Sequence, residues 1–250
     1  ELPFGVNLSW PQKYVGVLDR VEYPNLNIYR NVCLGGGSIS NGGVLLEPDE
    51  YHYNRYLFPE ITFQELRDKY FPLVRSMLSA SQMPEDLFNS EHYQFAQVCK
   101  QHAINAGFGV KHADSFYNFD IWRKEMEGTA PLSALNGELL YGNNNGIKNT
   151  LDRNYLADAL GSGNLTIQTL TKVTNIQNFP DENKYVIQVE RINEYGVLEE
   201  DFELECEHLF VCAGSVGTSE ILVKARDKGN LPDLSSKVGQ YFGGNGNTFA

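Results

Sequence analysis

Hydrophobic positions recur most regularly in "SEHYQFAQVCKQHAINAG", residues 90–107, where Tyr93, Ala96, Cys99, Ala103 and Ala106 fall at helical spacing. Ser90 is placed to cap this helix and Gly107 to stop it. Upstream, "ITFQELRDKYF" sets Thr62 and Glu65 in the pattern of a capping box that opens a helix. Pro72 is expected to end or kink that helix, because its ring lacks an N–H and crowds the preceding turn. "LVRSMLSA" then predicts a second helical stretch before Pro84. Residues 1–30 hold Pro3, Pro11 and Pro24 and read as loop. Residues 110–148 read as irregular, although they carry Phe116, Tyr117, Phe119 and Trp122.

The texture changes near Asn149. "TLDRNYLADALG" predicts a helix ending near Gly161, and "LTIQTLTKVTNIQN" alternates like a strand. "KYVIQVERIN" and "VLEEDFELECEH" predict a hairpin or meander with polar residues on one face. "HLFVCAG" is a short apolar run that suits a buried parallel strand. It turns at Gly214-Ser215 into "GTSEILVKARDKG", a helix with Gly229 as its stop. The expected class is α/β, α+β in part, divided into residues 1–148 and 149–250.

Composition narrows the function. The chain has 250 residues, 42% hydrophobic and 12% aromatic, enough for a genuine core. Its formal net charge of −12 opposes a non-specific nucleic-acid binder, which needs a cationic face. An apolar substrate stays open, because a pocket's lining is independent of net charge. No apolar run is long enough to span a bilayer. Cys33, Cys99, Cys206 and Cys212 show no CxxC spacing, so we expect four free, mostly buried thiols and no zinc site. The five histidines are not paired at metal spacing and read as ordinary surface or core residues. Glu47 reads as structural. The chain starts at Glu1 and stops in a glycine-rich stretch, which reads as the middle of a longer protein whose compartment is not legible here.

The candidate chemistry lies in "NVCLGGGSISNGGVLLEP", residues 31–48. Glycines this dense form either a flexible spacer or a surface against which something flat lies. A strand such as "LFVCAG" leading through a glycine turn to a helix is dinucleotide-domain geometry in general terms. Yet no GxGxxG follows a strand, and neither a Walker lysine nor a GxSxG elbow is present.

Four ordered blocks carry a resemblance: "YVGVLDRVEYPNLNIYR" leading into "GGGSISNGGVLLEP", then "YGNNNGIKNTLDRNYLADALGSGNLTIQTLTKV", then "VCAGSVGTSEILVKARDKGNLPDLSSKVGQYFGGNGN". Together they resemble the cholesterol oxidase branch of the glucose-methanol-choline (GMC) flavoenzymes. Ser219 stands where the wider family signature has a proline, as in the sterol oxidase branch. The resemblance implies part of an FAD-binding Rossmann-like domain with a β-meander in 149–250. It implies a flavin-contacting loop and part of a substrate or cap domain in 1–148. It further implies that the main pyrophosphate grip lies before Glu1 and the catalytic histidine, asparagine and glutamate after Ala250.

Residue by residue, the resemblance implies that Gly36 and Gly37 let the backbone approach the isoalloxazine ring. Asn41 would offer donor and acceptor, Gly42 close approach, and Val44 an apolar contact where the family has methionine. Val173 matches a backbone contact to adenine, and Ala213 and Gly214 match a turn near the pyrophosphate. No catalytic residue and no metal ligand is assigned. The implied activity is oxidation of a sterol 3-hydroxyl with hydride transfer to flavin N5 and oxygen as acceptor. The alternatives are a GMC dehydrogenase for another bulky alcohol, or an inactive subdomain as an isolated chain. The implied cofactor is FAD, held weakly or not at all by these residues alone. The implied partner is an apolar alcohol or sterol, with transient contact to a membrane surface to extract it. The aromatics of residues 50–125 line either a bulky apolar pocket or an ordinary core.

Overall fold

The computed structural model describes residues 15–56 and 60–244. These form two compact units, Val17–Thr166 and residues 15–16 with 167–244. The fold is α+β, and every strand pairing is antiparallel.

In the Val17–Thr166 unit the chain opens with a hairpin, β1 (Leu18–Tyr23) and β2 (Leu26–Asn31), paired from Leu18↔Asn31 to Tyr23↔Leu26. This corrects the loop expected there. Pro24 sits in the two-residue turn, where its missing N–H costs no ladder bond. Pro3 and Pro11 lie outside the described residues. After the glycine loop come β3 (Val44–Leu45) and α1 (Glu50–Tyr56).

Thr62 Oγ1 accepts the Glu65 N–H at 3.1 Å and starts α2 (Phe63–Glu65), as its spacing predicts. Pro72 does not end the helix. The turn Leu66–Tyr70 widens to π geometry, with Phe71 N–H bonding Leu66 O, and α3 (Phe71–Met77) carries Pro72 in its first turn. There a missing N–H is tolerated. The second helical stretch stops at Met77, because Ser79 takes φ +54 and leads into β4 (Ser81–Gln82).

A short α4 (Glu85–Phe88) precedes α5 (Gln94–Asn105). Gly107 stops α5 as expected: at φ +82 its N–H bonds Ile104 O, and Phe108 N–H bonds Ala103 O at 2.9 Å. Ser90 does not cap by its side chain; its hydroxyl donates to Leu87 O instead.

Residues 110–148 are not irregular throughout. β5 (Asp114–Ser115) joins β3 and β4 in one small sheet, and Asn118 caps α6 (Phe119–Met126) by accepting from Asp120 and Ile121 N–H. Leu87, Tyr117, Phe119, Trp122, Ala134 and Ile147 form the core here. Phe116, Tyr117, Phe119 and Trp122 are therefore core residues, at 3, 8, 8 and 4% exposure. α7 (Tyr155–Gly161) follows, ending where glycine was expected to end it.

The other unit is a meander of β6 (Thr171–Phe179), β7 (Lys184–Ile192) and β8 (Leu198–Cys206), in that spatial order, with α8 (Gly214–Asp227) packed on β6. Gly229 ends α8: its N–H bonds Arg226 O and Asn230 N–H bonds Ala225 O at 2.9 Å. The parallel strand expected at 208–214 is not formed. A buried strand needs neighbours on its edges. Residues 209–213 have none among the described residues, and Phe210 is 87% exposed. The four cysteines are free, but Cys99 and Cys212 are exposed and Cys33 and Cys206 only partly buried.

Candidate functional site

The glycine loop follows directly from β2. Gly35 and Gly36, at φ +83 and +51, turn the chain into a 3₁₀ turn at Gly36–Ser38. Ser38 fastens that turn: its N–H and its hydroxyl both donate to Gly35 O, at 3.2 and 2.7 Å. Its Oγ also accepts the Leu151 N–H at 3.1 Å. Asn41 N–H then bonds Gly37 O at 3.0 Å, and Ser40 Oγ donates to Asn31 Oδ1.

The glycines fall into two groups. A Cβ on Gly35 would sit 2.8 Å from Ile39 Cδ1 and 3.0 Å from Asp152 Oδ1. One on Gly43, at φ +68, would sit 2.7 Å from the Tyr117 ring. Both glycines are demanded by the fold itself. A Cβ on Gly36, Gly37 or Gly42 would meet nothing within 4 Å. These three border open space, and they are the ones the resemblance sets against a ring. Gly37, Asn41 and Gly42 are exposed, and Val44, 56% exposed, opens β3 just beyond them. The structure thus brings Gly36, Gly37, Asn41, Gly42 and Val44 onto one continuous segment. Asn41 Oδ1 already accepts Gly43 N–H at 3.0 Å. Asn41 keeps its Nδ2 donors and the second lone pair of Oδ1.

The loop is held from inside by Lys148, which the sequence did not single out, and by Tyr117, which it named only among the aromatics. Lys148 is 1% exposed, and its Nζ donates to the carbonyls of Ile39, Asn41 and Leu139 at 3.0, 2.7 and 2.6 Å. Burial pulls its pKa down to about 8, so it remains mainly protonated at neutral pH. Tyr117 Oη donates to Gly42 O at 3.0 Å, and burial pushes that phenol up to about 12. A short ladder places both: Phe116 N–H bonds Gly43 O, Tyr117 and Lys148 bridge antiparallel, and Asn149 N–H bonds Phe116 O.

Val173, Ala213 and Gly214 belong to the other unit. Val173 is half-buried on β6, opposite Val189 and beside a bulge. β6 is one of the two edge strands of the meander. Gly214, at φ +74, opens α8. Ala213 N–H donates to Thr218 Oγ1 at 3.0 Å, and that hydroxyl donates to Val211 O. Thr218 thus fixes the turn that carries Ala213 and Gly214, both exposed.

Other candidates resolve as structure. Glu47, just past β3, shares Arg75 of α3 with Asp114 of β5, at 3.2 and 2.7 Å. His52 pairs with Asp49 on the surface, and His112 lies edge-on to Phe88. No group of three His, Cys, Asp or Glu among the described residues is placed to hold a metal ion.

Comparison with known proteins matches residues 16–226 to the family model of the GMC oxidoreductases. Cholesterol oxidases from two strains of Mycobacterium tuberculosis, CDC 1551 / Oshkosh and ATCC 25618 / H37Rv, are each 26% identical over 231 residues, covering 86% of this chain. The chain spans 38% of the length of these relatives.

Proposed function

The chain belongs to the GMC oxidoreductase family, and from that premise we propose that the intact protein is an FAD-dependent oxidase of a sterol 3-hydroxyl. The observation that carries the proposal is the open backbone surface at Gly36, Gly37 and Gly42, where a Cβ would meet nothing within 4 Å. A flat ring can approach a backbone only where side chains are absent. The residues present therefore fit the ring end of the flavin. Bound FAD would supply the hydride acceptor for an alcohol oxidation.

This chain's part is positioning. Gly37 and Gly42 set the approach distance, and Val44 adds an exposed apolar edge. Asn41 Nδ2 donates to the ring edge or to the substrate hydroxyl. In the other unit, taken by itself, Ala213, Gly214 and Val173 are proposed as nucleotide contacts on the family resemblance alone. Without a GxGxxG segment, residues 1–250 by themselves hold FAD weakly and do not turn over alcohols. Sterol as the substrate class is supported by the likeness to cholesterol oxidases. Uptake of that sterol from a lipid surface is supported by α5 and its exit, which leave Phe95, Val98 and Phe108 at 84, 54 and 70% exposure.

The test is anaerobic mixing of the purified, flavin-bearing intact protein with a 3-hydroxysterol and, separately, with a short primary alcohol. Bleaching of the flavin by the sterol alone is expected. A protein bleached only by the short alcohol would overturn the sterol assignment, and one that purifies without flavin would overturn the cofactor.

A further inference from the structure

We propose that Lys148 is the positioning residue of the glycine loop, and that its ammonium makes the Ser40 and Gly42 amides strong donors toward a bound flavin ring. This rests on the flavin reading above. The three donors of the ammonium meet three backbone carbonyls, of Ile39, Asn41 and Leu139. Lys148 has no ion-pair partner among the described residues, and it lies in a low-dielectric interior beside Ile147, which is 0% exposed. Its positive field is therefore not cancelled locally.

The peptide units decide where that field acts. Ile39 C=O shares a unit with Ser40 N–H, and Asn41 C=O shares one with Gly42 N–H. In a planar trans peptide the N–H points opposite to its carbonyl, and no cis peptide is present among the described residues. The carbonyls turn inward to Lys148, so these two N–H groups turn away from it. Neither has a protein acceptor among the described residues. A carbonyl that accepts from a cation also polarises its own unit and strengthens the N–H at the other end. Tyr117 grips the next unit through Gly42 O, and the N–H of that unit is already bonded to Asn41 Oδ1. Lys148 thus sits behind the loop, out of reach of any ligand, while its effect emerges through amides beside Gly37 and Gly42. An isoalloxazine ring gains negative charge on reduction, so donors of this kind favour the reduced form.

The test compares the midpoint potential of the bound flavin in the intact wild-type protein and in Lys148→Met, with thermal melts and flavin content measured alongside. Loss of the ammonium is expected to shift the oxidised-to-reduced equilibrium about tenfold toward oxidised flavin, a fall of about 30 mV for a two-electron couple. Should Lys148→Met fail to fold, Lys148→Gln keeps an amide donor behind the same carbonyls without the charge and is expected to lower the potential in the same direction by less. An unchanged potential in a folded, flavin-bearing Lys148→Met overturns the proposal, as does an unchanged potential in Lys148→Gln when it is the variant that folds. A wild-type protein without flavin overturns the flavin reading itself, which separates the two failures.

Discussion

Glu125 and Lys148 are both buried charges of the Val17–Thr166 unit, and neither forms an ion pair with a described residue. Glu125, 2% exposed, accepts Ser133, Ala134 and Leu135 N–H at 3.0, 3.2 and 3.0 Å and Asn145 Nδ2 at 2.6 Å. Burial pushes its carboxyl up, but these hydrogen bonds outweigh burial and hold it below the usual carboxylate range. Lys148 is bonded to carbonyls instead, and burial pulls it down. The larger difference is what the bonds enclose. Those of Glu125 close on a turn inside the core. Two of those of Lys148 hold a loop whose far side is open at Gly37 and Gly42. A buried charge surrounded by its own fold is a staple, whereas one that backs an exposed backbone surface supports a site.

The largest effect on stability is expected at the staple. Glu125→Ala leaves three backbone N–H groups and one amide without their acceptor and should cost about 3–5 kcal/mol. Urea unfolding of this chain measures it, and a loss under about 1 kcal/mol would mean that water replaces the carboxylate. The next effect belongs to the glycines on the inner side of the loop. Gly43→Ala combines φ +68 with a Cβ 2.7 Å from the Tyr117 ring, and should cost about 2–3 kcal/mol by the same measurement.

A smaller effect separates the two regions by pH. The Glu125 pKa is lowered on folding from an ordinary value of 4.5, so the unfolded chain binds more protons in the window below it. Its contribution is complete above that value and is lost as pH falls through the folded pKa. The melting temperature of Glu125→Gln should therefore decline less steeply than that of wild type below about pH 4.5. Parallel slopes would remove Glu125 from the account of acid sensitivity. The smallest effect is expected on the open side: Gly42→Ala should change stability by no more than about 0.5 kcal/mol, because its Cβ meets nothing within 4 Å.

Features set by local chemistry were legible in the amino-acid order. The Thr62 cap, the Gly107 and Gly229 stops, the meander and the Gly214 turn each depend on a few adjacent residues. The hairpin at Leu18–Asn31 was not, because Pro24 reads as loop while occupying a turn position that spares the ladder. α6 was hidden because only its short run Phe119–Met126 is helical within a stretch of glycines and asparagines. The strand expected at 208–214 depends on edges that no described residue supplies. In the candidate site, the glycines were visible but their division into two groups was not, since it turns on Tyr117 and Ile39 packing. Lys148 left no signal at all: its loop acceptors lie 109 and 107 residues away.

The central claim, that the open side of the loop receives the flavin ring, is tested most directly by Gly37→Val in the intact protein. Flavin content, the rate of anaerobic flavin reduction by substrate, and the melting curve are measured together. Gly37 has no positive φ and its Cβ would meet nothing within 4 Å, so the melting curve should stay close to that of wild type. The branched side chain would stand between backbone and ring, and reduction should slow by about 100-fold or flavin content should fall. Equal flavin content and equal reduction rates in the two proteins would contradict the account and leave residues 35–43 as a structural turn alone.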